Sequence, residues 1–421
     1  MATLALMSPS FTTQIEAFTE YSGPISNFVG RRGCCLLQDT KSLQRMSMLT
    51  EEDLERFQSY GEASRMFRRS YFSHSDWLHA RRDGRFYYNI NSILASGIAR
   101  QLGKALGLVA GISTLIVVWN TLLVAGFDDF AGVYHNPLIE SSDSIPLLQL
   151  PMDPFTLSSP ALGLLLVFRT NACYSRWDEG RQAWGSIINN SRTCIRLGTT
   201  WVDPTKSGSI EKLERLADTV WAFSRSLMFH LLGSLEDGAA YTKDLSKLRD
   251  QEFAVDLSNV RHKPTRALKE MTDALAAIPF QSILYQAEAE KSVTALCDAM
   301  GACERIFTSP VPILYSRHTS RFLITWLFLL PLALYEPFGD TWNHWGVIPG
   351  AVIVSFFLLG IEEKAVQMEE PFSILPLEKM TDSIRLSADE HVAWKDNYDN
   401  DYITTSTSKP DSFYSLDTRL E

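Results

Sequence analysis

The sequence ALGLLLVFRTNACYSRWDEG at residues 161–180 begins with an apolar run and continues as a charged segment, with no proline between the two. The apolar half ends where Arg169 follows Phe168. In a helix, Pro160, Leu164 and Phe168 lie four residues apart and share one face. The stretch therefore predicts one continuous helix that leaves a membrane and enters water.

Two other uncharged runs are long enough to cross a bilayer by themselves. They comprise the 23 residues 105–127 and the 21 residues 341–361. At about 1.5 Å per residue, each crosses a hydrocarbon layer of about 30 Å. Two shorter uncharged runs, at residues 154–168 and 322–335, suit either a membrane span or a buried helix of a soluble core.

The distribution of basic residues favours four spans. With four spans, the two loops on one side are residues 128–153 and 336–344, and neither contains Lys or Arg. The opposite side is basic, and before the first span it carries Arg65, Arg68, Arg69, Arg81, Arg82, Arg85, Arg100 and Lys104. This asymmetry is the positive-inside pattern, and it places both termini on the inner side of the membrane.

The long polar segment between the second and third spans favours helices. Trp177, Trp184, Ile188 and Ile195 recur at spacings of seven and four, which forms one apolar stripe on a helix. We therefore predict an all-helical inner-side domain at residues 176–316, continuous with the membrane helices. The whole is an all-α integral membrane protein with four transmembrane helices, at about residues 105–127, 154–175, 320–336 and 345–361.

The two ends of the chain differ from this pattern. Residues 1–70 begin with a Ser- and Thr-rich stretch that contains both basic and acidic side chains. That stretch suits either an organelle transit peptide or a plain disordered tail. Residues 385–421 are polar, and we predict a flexible C-terminal tail there.

Composition excludes several classes of function. The net charge of −10 and the pI of about 5.4 disfavour a nucleic-acid-binding protein, which needs a basic face. The six cysteines and eight histidines show no metal-ligand spacing, and no catalytic motif is present in the sequence. We therefore predict no metal site, no cofactor and no enzymatic activity.

Ionisable and amide side chains near membrane depth are the strongest functional signal. Such groups are costly in a membrane, so Arg169, Asn171 and Arg176 are candidates for the wall of an anion pathway. Alternatively, Arg169 only marks the membrane surface. The glutamates that follow the fourth run, at 362, 363, 369 and 370, are predicted to lie at a solvated helix end.

Four stretches of the chain resemble the bestrophin-like anion channels of bacteria, plastids and algae, a branch that includes the voltage-dependent chloride channels of thylakoids. The second-span signature of that family is similar to SPALGLLLVFRTNACYSRWDEGRQAWGSIINNSRT. Later blocks are similar to CERIFTSPVPILYSRHTSRFLITWLFLLPLALYEPFG and LLGIEEKAVQMEEPFSILPLEKM, and the entry segment to SDWLHARRDGRFYYNINSILASGIARQL. The resemblance covers residues 71–384, which define the channel domain.

The resemblance implies a homopentamer in a lipid membrane, with one axial pore for chloride, bicarbonate or other small anions. The narrow pore neck falls at Pro160, Leu164 and Phe168, although this family more often has an aliphatic residue at the position of Pro160. Just inside the neck, Arg169, Asn171 and Arg176 form an anion-attracting mouth. The family branch also implies a chloroplast thylakoid location, with the plasma membrane as the alternative.

One departure from the family bears on gating. Animal members follow the fourth span with a run of aspartates that binds calcium through oxygen ligands. Here PFSILPLEKM carries no acidic run, so we expect no calcium gating. Two other functions remain open from the sequence: a coupled anion transporter, which would favour inverted repeats, and a membrane-anchored scaffold.

Overall fold

The computed structural model describes residues 65–407 apart from short stretches at 66–67, 83, 85–86, 88–89, 91–92, 94–96, 129–133, 138–145, 204–205, 207, 234–237 and 340–343. The leader predicted at residues 1–70 therefore lies almost entirely outside the described residues. So do residues 408–421 of the predicted C-terminal tail.

The described chain is helical, as predicted from the sequence. One short antiparallel β pair adds to the helices, with strand β1 (Phe127–Asp128) beside strand β2 (Tyr134–His135). In chain order the helices are α1 (His74–Ala80), α2 (Gly97–Val118), α3 (Asp153–Trp201), α4 (Ser209–Leu232), α5 (Gly238–Leu245), α6 (Gln251–Asn259), α7 (Lys263–Ala277), α8 (Ile283–Thr308), α9 (Ile313–Leu334), α10 (Val347–Glu369) and α11 (Leu377–Thr407).

Helix α3 contains the stretch that opened the sequence analysis and is the longest described element. Its 49 residues extend about 74 Å at 1.5 Å per residue. Pro160 lies inside this helix and has no N–H for the carbonyl of Thr156. The hydroxyl of Ser159 donates to that carbonyl at 3.2 Å, which supplies the missing hydrogen bond.

The first half of α3 packs with α2, α9 and α10 into a membrane-side bundle. Its core contains Leu162 and Leu166 of α3 beside Leu323 and Leu327 of α9, all at most 2% exposed. The indole Nε1 of Trp326 also donates to Ser158 across the α3–α9 contact, at 3.1 Å. These contacts fix which face of α3 is turned inward.

The second half of α3 packs with α4 to α8 and α11 into an inner bundle. Trp184 and Ile187 of α3 are fully buried there against a large cluster that includes Phe223 and Leu227 of α4. A small cluster of Cys173, Val311 and Ala365 joins the two bundles. The apolar stripe predicted for this half of α3 therefore lies at an interior contact.

Residues 385–407 are helical, although they were predicted as part of a flexible tail. Helix α11 continues to Thr407, and its residues Ile384, Ala388 and Val392 are buried in the core of the inner bundle. These positions are four residues apart, so they form one apolar helix face. Burying that face offsets the entropy of ordering the segment, which is why the tail prediction was wrong for residues 385–407.

Membrane-spanning character is strongest in α2. Among the described residues, the helical segment Gly97–Ala125 is the one helix whose length and apolar composition suit a span. Its last seven residues, Trp119–Ala125, form a π-helix. There, buried Asn120 accepts from the N–H of Leu148 at 2.8 Å and donates to its carbonyl at 2.9 Å.

Candidate functional site

One face of α3 is left uncovered by both bundles. Pro160, Leu164, Phe168 and Asn171 all lie on this exposed stripe, and 54% of Leu164 and 55% of Phe168 remains exposed. Leu162 and Leu166, between them in sequence, are only 2% exposed. The helix therefore separates a packed face from an open one.

The exposed stripe changes character along the helix. Above Pro160 it continues to Leu157, which is 81% exposed, and below Asn171 it continues to exposed Ser175. Three to four residues separate each position from the next, so the side chains follow one line down the helix. The line is apolar as far as Phe168 and polar from Asn171 onward.

Arg169 does not lie on the exposed stripe, contrary to its predicted place at the pore mouth. Only 4% of its side chain is exposed, and its Nη1 lies 2.7 Å from Glu362 Oε1 of α10. The same nitrogen donates to the hydroxyl of Ser320 in α9 at 2.7 Å, and Ser320 donates to Glu362 at 2.5 Å. The guanidinium therefore links three helices of the membrane-side bundle.

The geometry of a helix explains this difference. Consecutive residues of an α-helix are rotated by about 100°, so Phe168 and Arg169 face different directions. Placing Phe168 on the open stripe turns Arg169 toward α9 and α10. An arginine buried there requires a carboxylate, because an unpaired charge in a low-dielectric interior is costly.

Glu362 supplies that carboxylate, a role that the sequence interpretation missed. We predicted a solvated helix end, yet its side chain is 17% exposed and paired with Arg169. A signal was present, because Glu362 directly follows an uncharged run, where an ionisable side chain is expected to need a partner. Its partner is 193 residues away, which no local pattern reveals.

Arg176, which the sequence predicts at the pore mouth, is half-buried and bound to the ends of other helices. Its guanidinium donates to three backbone carbonyls, those of Ile306 at 2.6 Å, Ser309 at 2.5 Å and Glu369 at 2.9 Å. These carbonyls lie at the C-terminal ends of α8 and α10. A cation there satisfies carbonyls that have no helical partner and offsets the negative end of each helix dipole.

The segment after α10 is held by an arginine rather than by a metal-binding acidic run. Arg65 donates to the carboxylate of Glu370 at 3.0 Å and to the hydroxyl of Ser373 at 2.6 Å. The other oxygen of Glu370 accepts from the N–H groups of Phe372 and Ser373. Both oxygens of this carboxylate are therefore engaged by the chain itself.

Close packing joins that segment to α3. A Cβ added at Gly180 would lie 3.0 Å from the Cγ of Pro371, which is closer than carbon atoms normally pack. Phe372, next to it, is fully buried in the inner bundle. Gly180 thus allows the segment after α10 to lie directly against the middle of α3.

Other helices of the membrane-side bundle also expose apolar lines. On α2, Leu108, Leu115 and Leu122 are 54%, 65% and 36% exposed at a spacing of seven residues. On α10, Ile353 and Phe357 are 55% and 60% exposed, four residues apart. Apolar surface of this extent indicates contact with lipid or with other chains.

The buried thiols of the inner bundle are chemically inert. Burial raises the pKa of Cys194 to about 12, and burial together with Glu304 raises the pKa of Cys303 to about 12. Both stay protonated at neutral pH, and a protonated thiol is a poor nucleophile and a poor metal ligand. The exposed stripe and its supporting arginines therefore remain the main candidate site.

Comparison with known proteins relates this geometry to a family. Residues 77–390 match the family model described as Bacterial/Fungal Bestrophin protein. The chain is 29% identical over 332 residues to voltage-dependent chloride channel 2, chloroplastic, of Arabidopsis thaliana, across 78% of this chain and 74% of that protein. It is 32% identical over 253 residues to a voltage-dependent anion channel-forming protein of Nostoc, across 58% and 79%.

A solved structure shares the fold. A variant of a bacterial bestrophin homologue from Klebsiella pneumoniae superimposes with a TM-score of 0.55 at 24% identity. The match covers 68% of this chain and 97% of that one. The helical arrangement described above is therefore that of a known membrane-protein fold.

Proposed function

Because this chain belongs to the bestrophin family, we propose that it is an anion channel that conducts passively through one axial pore of a homopentamer. The observation that carries the proposal is the exposed stripe on α3. That stripe is open while the opposite face of the same helix is packed against α9 and α10. A helix with one open face is suited to line a pore with its counterparts from other subunits.

The pore neck is formed by Pro160, Leu164 and Phe168. Five copies of each would make three successive apolar rings, and an apolar constriction gates a pore by excluding water. The phenyl edges of Phe168 carry partial positive charge, which favours an anion over a cation at the inner ring. Leu157, further along the same line, extends the apolar wall outward.

The anion-attracting mouth is formed by Asn171 rather than by the two arginines. The amide of Asn171 is exposed and offers two N–H donors to an anion that leaves the neck. Arg169 and Arg176 hold the wall in place through Glu362 and through the ends of α8 and α10. Anion selectivity then depends on dipoles along the stripe, because the charge of Arg169 is neutralised by its partner.

Four spans carry the channel through the membrane, with α2, the first half of α3, α9 and α10 crossing it. The exposed apolar lines on α2 and α10 would face lipid or a neighbouring subunit. The basic residues before the first span and in the inner bundle lie on the inner side, in keeping with the positive-inside rule.

Chloride and bicarbonate are the proposed physiological ions, and the thylakoid membrane is the proposed location. Support comes from the relative in Arabidopsis, whose name describes a chloroplastic chloride channel. A plasma-membrane location is the alternative. Gating is proposed to be independent of calcium, since Arg65 and two backbone N–H groups occupy the carboxylate of Glu370.

Recording from the purified protein in a planar bilayer tests the proposal. With a tenfold gradient of chloride, the current should reverse close to the chloride equilibrium potential. Replacing chloride by bicarbonate or nitrate then ranks the ions by the shift of the reversal potential. Reversal at the cation potential, or no current from protein that is folded and pentameric, would exclude an anion channel.

A further inference from the structure

Three potential metal ligands meet in the inner bundle, far along the chain from one another. His230 lies in the last turn of α4, His262 directly precedes α7, and Glu304 lies in α8. Their ligand atoms all lie within 4.8 Å of one another. Among the described residues, this is the one group of three His, Cys, Asp or Glu side chains placed to share an ion.

Both histidines are turned toward the same carboxylate oxygen. His262 Nε2 lies 2.9 Å from Glu304 Oε1, and His230 Nε2 lies 3.7 Å from it. The two imidazole rings are 4.8 Å apart between centroids. The three side chains are between 31% and 41% exposed, so an ion can reach them from solvent.

The second ring nitrogen of His262 is already occupied. Its Nδ1 lies 2.7 Å from the hydroxyl of Thr265, at the start of α7. The backbone N–H of Thr265 also donates to this Nδ1, at 3.4 Å, which holds the ring at the start of α7. The Nε2 edge of the same ring is turned toward Glu304 Oε1.

The carboxylate oxygen that both imidazole rings face lacks a hydrogen bond within the described part of the chain. Glu304 Oε1 is buried and accepts no hydrogen bond of good geometry among the described residues, although two imidazole nitrogens are near it. A metal ion bound among the three ligand atoms would satisfy this oxygen.

We propose that His230, His262 and Glu304 form a binding site for a divalent transition-metal ion, with zinc as the best fit. Two imidazoles and one carboxylate are a known ligand set for zinc, with a fourth position open to water. Bond lengths of about 2.0–2.2 Å place tetrahedral ligand atoms about 3.3 Å apart. The side chains therefore need to close by about 1.5 Å, which exposed rotamers permit.

The site would fasten three helices of the inner bundle together. An ion bound there links the C-terminal end of α4, the start of α7 and the C-terminal part of α8. Binding to the folded chain alone raises its stability. The site is independent of the proposed conduction pathway, because none of its ligands lies on the exposed stripe of α3.

Zinc titration of the purified full-length protein tests the proposal. After removal of metal with a chelator, isothermal calorimetry should show one zinc ion per chain with a micromolar or tighter Kd. X-ray absorption at the zinc edge should show nitrogen or oxygen neighbours at about 2.0–2.1 Å. Magnesium should not compete, because nitrogen ligands suit transition metals.

Matched variants separate a zinc site from a structural role of the same residues. His262→Asn keeps a side-chain acceptor for the start of α7 but removes a zinc ligand, and Glu304→Gln removes the charge with little change of shape. Each should weaken zinc binding at least tenfold and abolish the zinc-induced rise in Tm. His74→Asn, at an exposed histidine of α1, should change neither.

Two results would overturn the proposal. One is a wild-type protein that binds no more zinc than the double variant His230→Asn/His262→Asn. The other is zinc binding that Glu304→Gln leaves unchanged. Melting curves recorded without zinc show whether each variant is folded, so a loss of binding is scored only for folded protein.

Discussion

Arg169 Nη1 lies 2.7 Å from Glu362 Oε1, on a side of α3 turned away from the open line that contains Phe168. The arginine is 4% exposed, whereas Phe168 is 55% exposed. One step along the chain thus separates a side chain that supports the helix bundle from one that faces outward. The position of a charged residue in the sequence therefore does not show whether its side chain lies on the packed or the exposed face of the helix.

Removing Arg169 is therefore expected to damage stability rather than selectivity. Arg169→Met leaves the carboxylate of Glu362 mostly buried without its cation, which costs about 3–5 kcal/mol. The Tm of the detergent-solubilised protein should fall clearly. In the double variant Arg169→Met/Glu362→Gln, much of that loss should be recovered, since neither charge remains.

A substitution on the exposed stripe is expected to change ion selectivity and not stability. Asn171→Asp places a negative charge on the exposed stripe and should reduce anion current in bilayer recordings, with little change of Tm. Arg169→Met channels that survive should keep the chloride-to-sodium permeability ratio of the wild type. A large drop of that ratio in Arg169→Met would mean that the arginine does act at the pore mouth.

Truncating the neck is expected to widen it. Phe168→Ala and Leu164→Ala remove side chains that are about half exposed, so neither leaves a large cavity in the core. Single-channel conductance should rise, or the closed time should shorten. Phe357→Ala on α10 is the matched control, because its side chain is 60% exposed on another helix. Equal effects from both phenylalanines would mean that α3 is not the pore wall.

Asp244 is expected to make the stability of the inner bundle depend on pH in the acid range. Burial acts to raise its pKa, but hydrogen bonds and charges from Lys247 and Arg225 outweigh burial, so the pKa falls below the ordinary 3.8. A lowered folded-state pKa means that the stabilisation is present above pH 3.8 and is lost as pH falls through the folded pKa. Asp244→Asn should therefore cost about 1.5–3 kcal/mol at pH 7.

The cost of Asp244→Asn should shrink as the pH is lowered below 4, because the wild-type aspartate then also becomes neutral. Chemical unfolding at several pH values measures this convergence. Asp273→Asn is the matched control, since Asp273 forms an exposed pair with Lys269 and should contribute only about 0.3–0.5 kcal/mol at pH 7. Parallel curves for wild type and Asp244→Asn across the acid range would contradict the assignment.

Calcium is expected to leave the channel unaffected. Arg65 already neutralises Glu370 in the segment that follows α10. Open probability in bilayer recordings should be the same with micromolar calcium and with an excess of chelator. A steep calcium dependence would show that this carboxylate exchanges Arg65 for an ion, and Glu370→Gln would then abolish it.

Adding a methyl group at Gly180 is expected to loosen the contact between α3 and the segment after α10. Gly180→Ala places a carbon 3.0 Å from Pro371, so the segment after α10 must shift away from α3. A loss of about 1–3 kcal/mol is typical of overpacking. Gly185→Ala, where nothing lies within 4 Å, should be neutral or slightly stabilising in the same Tm measurement.

Periodicity predicted what lies along one helix. The four-residue spacing of Pro160, Leu164 and Phe168 predicted their common face, and all three lie on the exposed stripe. The same spacing at Ile384, Ala388 and Val392 was available in the sequence and should have extended the inner bundle past residue 385. That signal was obscured by the polar residues between these positions.

Contacts between distant helices were beyond such reasoning. Glu362 reaches Arg169 across 193 residues, and Arg176 binds backbone carbonyls 130 and 193 residues away at two helix ends. His230, His262 and Glu304 lie on separate elements, so their spacing carries no ligand motif. Such pairings depend on how the helices pack, which one sequence does not specify locally.

Helix α3 is continuous, so it connects the proposed neck directly to the inner bundle. Over about 74 Å, a tilt of about 3° at one end displaces the other by about 4 Å. If the helix moves as a rigid body, a shift at the Trp201 end therefore moves the aligned side chains of the proposed neck. The helix has one proline inside it, Pro160, and this position lies in the neck. If α3 bends at Pro160, a movement of the inner bundle would change the diameter of the proposed pore.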